Sequence, residues 1–283
     1  MHGAHVQGRA QGGQSSVYYA DGWNLYPALM AELLEISDLT VRYTGERDLH
    51  VLDSLAFSIE EGSFTSIVGP SGCGKTTILR CVSGLQRPSS GRVTIAGREV
   101  TQPTDGMTLV FQEYNRSLFP WRSVLSNVIF PIEDKVEKSK AKERAIQLLT
   151  ELGLNGFETY YPWQLSGGMQ QRVAIARALA PNPKILLMDE PFASVDAQTR
   201  TALEDQLLSV WKDRRLTILF VTHDIEEAVY VSQRVIVLSR RPTRVVDNLT
   251  VDLPYPRDQL TTRSDAKFLS YRAKVLEDIR ALS

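Results

Sequence analysis

The run Gly69-Pro70-Ser71-Gly72-Cys73-Gly74-Lys75-Thr76-Thr77 has the residue types and the spacing to hold a chain of phosphates. It fits G-x-x-x-x-G-K-[ST]. Its glycines let backbone N–H groups turn inward and approach phosphate oxygens with no Cβ in the way. Lys75 would reach the β- and γ-phosphates, and the Thr76 hydroxyl would ligate Mg²⁺. A second set is Asp189-Glu190, which ends the apolar run Ile185-Leu186-Leu187-Met188. Asp189 suits Mg²⁺ held through water, since that ion keeps much of its hydration. Glu190 falls where a general base would polarise an attacking water. A third set is Leu165-Ser166-Gly167-Gly168-Met169-Gln170-Gln171-Arg172. Ser166 is a good helix N-cap, and the two glycines bare N–H groups at a helix start, which makes a second anion cradle. Together these residues point to hydrolysis of a nucleoside triphosphate, ATP or GTP. One nucleotide on the first loop leaves the second cradle without an obvious ligand.

These residues need strands and helices to hold them. Ser66-Ile67-Val68 reads as the end of a buried strand, and Thr76 to Arg80 as the first turns of a helix, which is the context a phosphate loop requires. Near-continuous apolar runs at 185–188, 217–221 and 234–238 suit parallel strands covered on both faces. Helical patterns alternate with them at 170–180, 200–213 and 225–232, so the core is α/β with a parallel sheet. Strand patterns also fill 33–68, with alternation at Leu39–Tyr43 and Ser54–Ile59. Residues from about 113 change character. Lys135 to Leu152 is charged, with Ala145, Ile146, Leu148, Leu149 and Leu152 at helical spacing and Gly153 as its stop, so this stretch reads as an inserted helical lobe. Residues 1–29 are rich in Gly, Gln and Ser without periodic apolar positions, which predicts a disordered tail, and ordered sequence is expected from Met30. A last amphipathic helix is expected from Ser264 to Leu282, with Phe268, Leu269, Val275, Leu276 and Ile279 on one side.

Composition narrows the classes. The net charge of -1 gives no support to binding of nucleic acid or anionic lipid. Two cysteines, Cys73 and Cys81, lie in and just after the phosphate loop, where a disulfide would distort it, so they read as small packing residues in a reducing compartment. No apolar run approaches the ~18–20 residues of a membrane-spanning helix.

Taken in chain order, Gly69–Thr77, Leu165–Arg172 and Leu187–Pro191 resemble the Walker A, signature and Walker B motifs of the ATP-binding cassette ATPases. The resemblance covers about residues 32–245 and implies a RecA-like P-loop core, an N-terminal antiparallel β subdomain and a helical subdomain at about 113–168. The chain would then divide into a tail at 1–29, an ATPase domain at 30–245 and a C-terminal extension at 246–283. Further motifs match residue by residue. Gln112 corresponds to the Q-loop glutamine, which reaches Mg²⁺ and the γ-phosphate, and His223 to the switch histidine. Asp196 corresponds to the D-loop aspartate, although Val195 departs from the usual leucine before it. Tyr43 corresponds to the aromatic that stacks on adenine. The resemblance implies that Glu190, His223, Gln112 and Lys75 carry the hydrolysis of ATP. It also accounts for the second cradle: two cassettes sandwich two ATPs, and Ser166, Gly167 and Gly168 hold the γ-phosphate of the ATP on the partner, a second copy of this chain.

The stretch Leu118-Phe119-Pro120-Trp121-Arg122-Ser123-Val124, followed by Asn127-Val128, resembles a pattern of importer ATPases for nitrate, sulfonates, taurine and related solutes. The tail Val251–Asp258 resembles that subgroup too. This implies a peripheral protein on the cytoplasmic face of the membrane. A groove near Arg116, Phe119 and Trp121 would dock an integral permease, and a solute-binding protein would act indirectly. An exporter ATPase, or a scaffold ATPase of the iron–sulfur assembly type, would share the catalytic residues.

Overall fold

The computed structural model describes residues 32–45, 48–113 and 117–281. The expected tail, the start at Met30, Arg116 of the expected groove and Leu282 at the end of the last helix lie outside the described residues.

The chain runs β1 (Glu32–Tyr43), β2 (Leu49–Glu60), β3 (Phe64–Val68), α1 (Lys75–Val82), β4 (Ser90–Ile95), β5 (Arg98–Glu99) and β6 (Met107–Val110). It continues through α2 (Val124–Ile129), α3 (Lys138–Glu151), α4 (Gly167–Leu179), β7 (Ile185–Asp189) and α5 (Ala197–Arg214). It ends with β8 (Thr217–Val221), α6 (Ile225–Val231), β9 (Arg234–Leu238), β10 (Val245–Thr250) and α7 (Ala266–Arg280). One sheet has the order β2-β1-β4-β5 and is antiparallel throughout. The other has the order β10-β9-β3-β8-β7-β6, parallel except for the β10 edge.

Successive side chains on a strand point to opposite faces, and in the parallel sheet both sets are apolar. Ile185, Leu187, Leu219, Val221, Ile236 and Leu238 pack with α1 and the antiparallel sheet. Leu186, Met188, Ile218, Phe220, Val235 and Val237 pack on the opposite side with α4, α5 and the helical segment between residues 118 and 154. Each such side chain, moved from water to the interior, stabilises the fold by about 1.5–3 kcal/mol. A one-residue slip of any strand would keep its faces apolar, so here the helices and the turns, more than alternation, set the register.

Because β3, β6, β7 and β8 are parallel, their carboxyl ends share one sheet edge. Gly69, Gln112, Asp189-Glu190 and His223 follow those four ends, so residues far apart in sequence meet there.

The helical segment ends as expected, with Ala145, Leu148 and Leu149 buried and Gly153 at φ 67°. The last helix corrects the sequence reading. Phe268 and Val275 are buried and Ile279 packs beside them, but Leu269 and Leu276 are exposed. Each follows a buried position by one residue, which turns it about 100° around a 3.6-residue helix and off the packed stripe.

Candidate active site

The phosphate loop is fixed from behind. Gly72 and Gly74 have φ of 73° and 120°, a region that favours glycine. A Cβ at Gly74 would also stand 2.8 Å from Val51 Cγ1 and 2.9 Å from Leu52 Cδ2, so this glycine serves packing on β2 as well as the turn. The buried Thr243 hydroxyl donates to Cys73 O, while Thr243 N–H donates to Val51 O at 2.9 Å and Asp53 N–H donates to Thr243 O at 3.0 Å. Cys73 and Cys81 are free and buried. Burial pushes both thiols up, Cys81 to about 11, which keeps them protonated and inert.

Lys75 opens α1 and is almost wholly buried. Its Nζ donates to Gly69 O at 3.0 Å and Pro70 O at 3.3 Å, and lies 3.8 Å from Glu190 Oε1. Glu190 Oε2 lies 2.9 Å from His223 Nδ1 and accepts from Gln112 Nε2 at 3.4 Å. Lys75, Gln112 and His223 thus converge on one carboxylate. Asp189, beside it, is buried and accepts from the Thr76 side chain. Burial raises its carboxyl above the ordinary range, and the neighbouring Glu190 adds to this, against the Thr76 bond and Lys75. A hydroxyl, a carboxylate and an amide oxygen (Thr76, Asp189, Gln112) form a hard donor set that fits Mg²⁺. Among the described residues no three of His, Cys, Asp and Glu form a cage for a metal, and Mg²⁺ held through its own waters and phosphates needs none.

Ser166, Gly167, Gly168 and Asp196 form a separate group. Ser166 caps α4, accepting from Met169 N–H at 3.3 Å. Asp196 caps α5, accepting from Thr199 N–H at 2.9 Å, a bond that holds its carboxyl below the ordinary range. Thr199 also faces Gly168, where a Cβ would come within 2.4 Å of Thr199 Cγ2. Tyr43 stands apart at the end of β1, half exposed, and its hydroxyl donates to Gln86 Oε1 at 3.0 Å.

From the first group a cleft of about 730 Å³ runs past Thr76, Gln112 and Asp189 to Phe119, Phe130 and Arg177. Phe119 packs on Phe130 with centroids 4.6 Å apart and on Trp121 at 5.5 Å, and Trp121 is 72% exposed. The bend that presents them is stapled by Asn127, which is fully buried. Its amide accepts from Phe119 N–H at 2.9 Å and donates to Phe119 O, Arg122 O and Ser123 O at 3.0–3.1 Å. Sequence reasoning had Asn127 only as part of a pattern. An amide set between the apolar pairs Val124-Leu125 and Val128-Ile129 is the signal that it satisfies backbone. It missed Thr243 altogether, since a threonine after a turn carries no signal of a bond to a distant loop.

The family model described as ABC transporter matches residues 52–193. An uncharacterised ABC transporter ATP-binding protein of Methanocaldococcus jannaschii is 47% identical over 250 residues, covering 87% of this chain and 91% of that one. An aliphatic sulfonates import ATP-binding protein of Bacillus cereus is 40% identical over 245 residues, covering 86% and 93%. Among solved structures, a dimeric ATP-binding cassette in a post-hydrolysis state with ADP and Pi superposes with a TM-score of 0.70 at 33% identity, covering 78% of this chain and all of that one.

Proposed function

The chain belongs to the ABC transporter family as an ATP-binding, ATP-hydrolysing subunit, and we propose that it powers uptake of a small organic solute, of the nitrate, sulfonate or taurine kind, through a membrane permease. The likeness to an aliphatic sulfonates import ATP-binding protein supports the solute class. The observation that carries the reading is the cleft that joins Gln112 and Asp189 to Phe119 and leads to the exposed Trp121. A shift of Gln112 on binding ATP would reach this aromatic group with no long relay.

In this reading backbone N–H groups between Ser71 and Thr77 and the Lys75 ammonium bind the phosphates, and Tyr43 stacks on adenine. Thr76, Asp189 and Gln112 would hold Mg²⁺, which screens phosphate charge. Glu190 takes the proton of the attacking water, and His223 and Gln112 orient it and the γ-phosphate. Two copies of the chain close on two ATPs, with Ser166, Gly167 and Gly168 of one against the γ-phosphate held by the other, and Asp196 beside them. Closure driven by the γ-phosphate and release on hydrolysis make an ordering switch. Among the described residues no helix is long and apolar enough to cross a membrane. In this reading the permease supplies the attachment, at the cytoplasmic face, and a solute-binding protein delivers its cargo.

The test is Trp121→Ala, alone and with Phe119→Ala, in cells and as purified protein. Membrane association and solute uptake should fall while ATPase of the isolated subunit stays near normal. A wild-type protein that copurifies with no permease would sink the transport reading in favour of a scaffold ATPase. Loss of ATPase in the Trp121→Ala variant would show that the indole supports the core instead of a partner.

A further inference from the structure

The segment after β10 has no part in the reading above, yet it is bonded to the elements that carry His223 and Asp196. Arg263 donates to Glu204 Oε2 on α5 at 2.7 Å, to Glu226 Oε2 on α6 at 3.2 Å and to Gln259 Oε1 at 2.8 Å. Arg272, on α7, donates to the other oxygen of Glu226 at 2.7 Å. Glu226 lies in the first turn of α6, whose cap, Asp224, directly follows His223. Asp224 accepts from the N–H groups of Glu226 and Glu227 at 2.9 and 3.1 Å and from Arg200 at 3.1 Å. Arg200 in turn donates to Val195 O at 3.3 Å, next to Asp196. A hollow lined by His223, Asp224, Ile225, Glu226, Arg272 and Leu276 sets α7 directly beside the histidine.

We infer that the C-terminal segment is a brace that sets the position of His223 for hydrolysis, with Glu226 as the positioning residue and Arg263 and Arg272 as its two holds. This rests on the role given to His223 above. The last five of the seven residues of helix α6 are buried, while its first turn, with the partly exposed Glu226, is held by the Asp224 cap and by the two arginines. An isolated exposed ion pair adds little. Here one carboxylate is shared by two arginines, and Arg263 also neutralises Glu204, which is 1% exposed. The α7 end is anchored by the buried Phe268 and Val275, so the brace has a fixed base.

Removing Arg263 would strand a buried carboxylate and threaten the fold, so the informative variants are Glu226→Ala and Arg272→Ala in the full-length protein, both at exposed side chains. In steady-state ATPase assays each should lower kcat by about 2–30-fold, the range for changes along a coupling network, with KM for ATP and the melting temperature little changed. Arg272→Lys should restore much of the rate. Added to His223→Ala, Glu226→Ala should cost nothing further, because the two act as one unit. Full turnover in Glu226→Ala and Arg272→Ala, a rise of KM in step with the fall of kcat, or an equal loss in the His223→Ala background would each overturn the brace. Normal turnover of His223→Ala alone would sink the switch role and the brace with it. A slow His223→Ala beside normal Glu226→Ala and Arg272→Ala sinks the brace only.

Discussion

Glu190 Oε2 and His223 Nδ1 lie 2.9 Å apart although the two residues leave different strands. The main chain makes the meeting. Glu190 N–H donates to Val221 O at 2.8 Å, so the turn after β7 is bonded to the end of β8, two residues before the histidine. Glu190 itself has φ of 43°, uncommon for a residue with a Cβ. Strain of this kind costs about 1–3 kcal/mol and persists where the surroundings over-determine it. Here it turns the carboxylate back toward Lys75, Gln112 and His223 instead of continuing along the strand.

That convergence makes Glu190→Gln the sharpest test of the chemistry. The amide keeps the shape and loses the base. ATP should still bind, turnover should fall by about 10²–10⁴-fold, and a closed dimer should accumulate with ATP and Mg²⁺, visible by light scattering. Near-normal turnover would reject Glu190 as the base.

Gly168 gives a prediction that separates packing from phosphate binding. A methyl group there would meet Thr199 Cγ2 at 2.4 Å, inside any tolerable contact. Gly168→Ala should therefore destabilise the protein by about 1–3 kcal/mol, the usual cost of overpacking. Adding Thr199→Ser removes the opposing methyl and keeps the backbone N–H that Asp196 accepts from. If the double variant regains its melting temperature but not its ATPase, Gly168 has a second role in the cradle. If both return, packing alone explains the glycine. A stable Gly168→Ala single variant would refute the clash.

Thr243 should hold the phosphate loop in shape. Thr243→Val removes the donor to Cys73 O and leaves a buried carbonyl short of a partner, a loss of about 1–3 kcal/mol. The expected outcome is a lower melting temperature and weaker binding of a fluorescent ATP analogue, measured by titration. Unaltered affinity would show that the glycines alone shape the loop.

These residues also mark what could be read from sequence. The strands β7, β8 and β9 and the phosphate loop were legible because long apolar runs and a glycine spacing are local signals. So were the cap at Ser166 and the stop at Gly153. The meeting of Gln112, Glu190 and His223 was legible only through family resemblance, since strand order decides it and no local pattern encodes that order. Thr243 and the Arg263–Glu226 bond were not legible at all: single polar residues in loops look alike until the fold supplies their partners. The last helix was placed, but its stripe was drawn too wide, because Leu269 and Leu276 fit an apolar face until the packed side is known.

Glu227 offers a test by pH. It is buried in α6, and burial pushes its carboxyl up to about 8, against the opposing Thr222 bond and with the charges of Glu204 and Asp224 adding to the rise. The unfolded chain releases this proton near the ordinary value of 4.5. Between the two values the folded protein keeps a proton that the unfolded chain has lost. Stability from this group therefore falls as pH rises through that window, by at most about 1.4 kcal/mol per pH unit for one proton. Below it both states are protonated and no cost arises; above it the cost is constant. Glu227→Gln imitates the protonated form at every pH. Its melting temperature should match the wild type below about pH 4, exceed it increasingly from there toward about pH 8, and keep a steady lead beyond, as the linkage requires. The measurement is a series of thermal melts of both proteins across that range. Parallel curves would show that Glu227 is ionised in the folded state, with its charge met by Arg200 and Thr222.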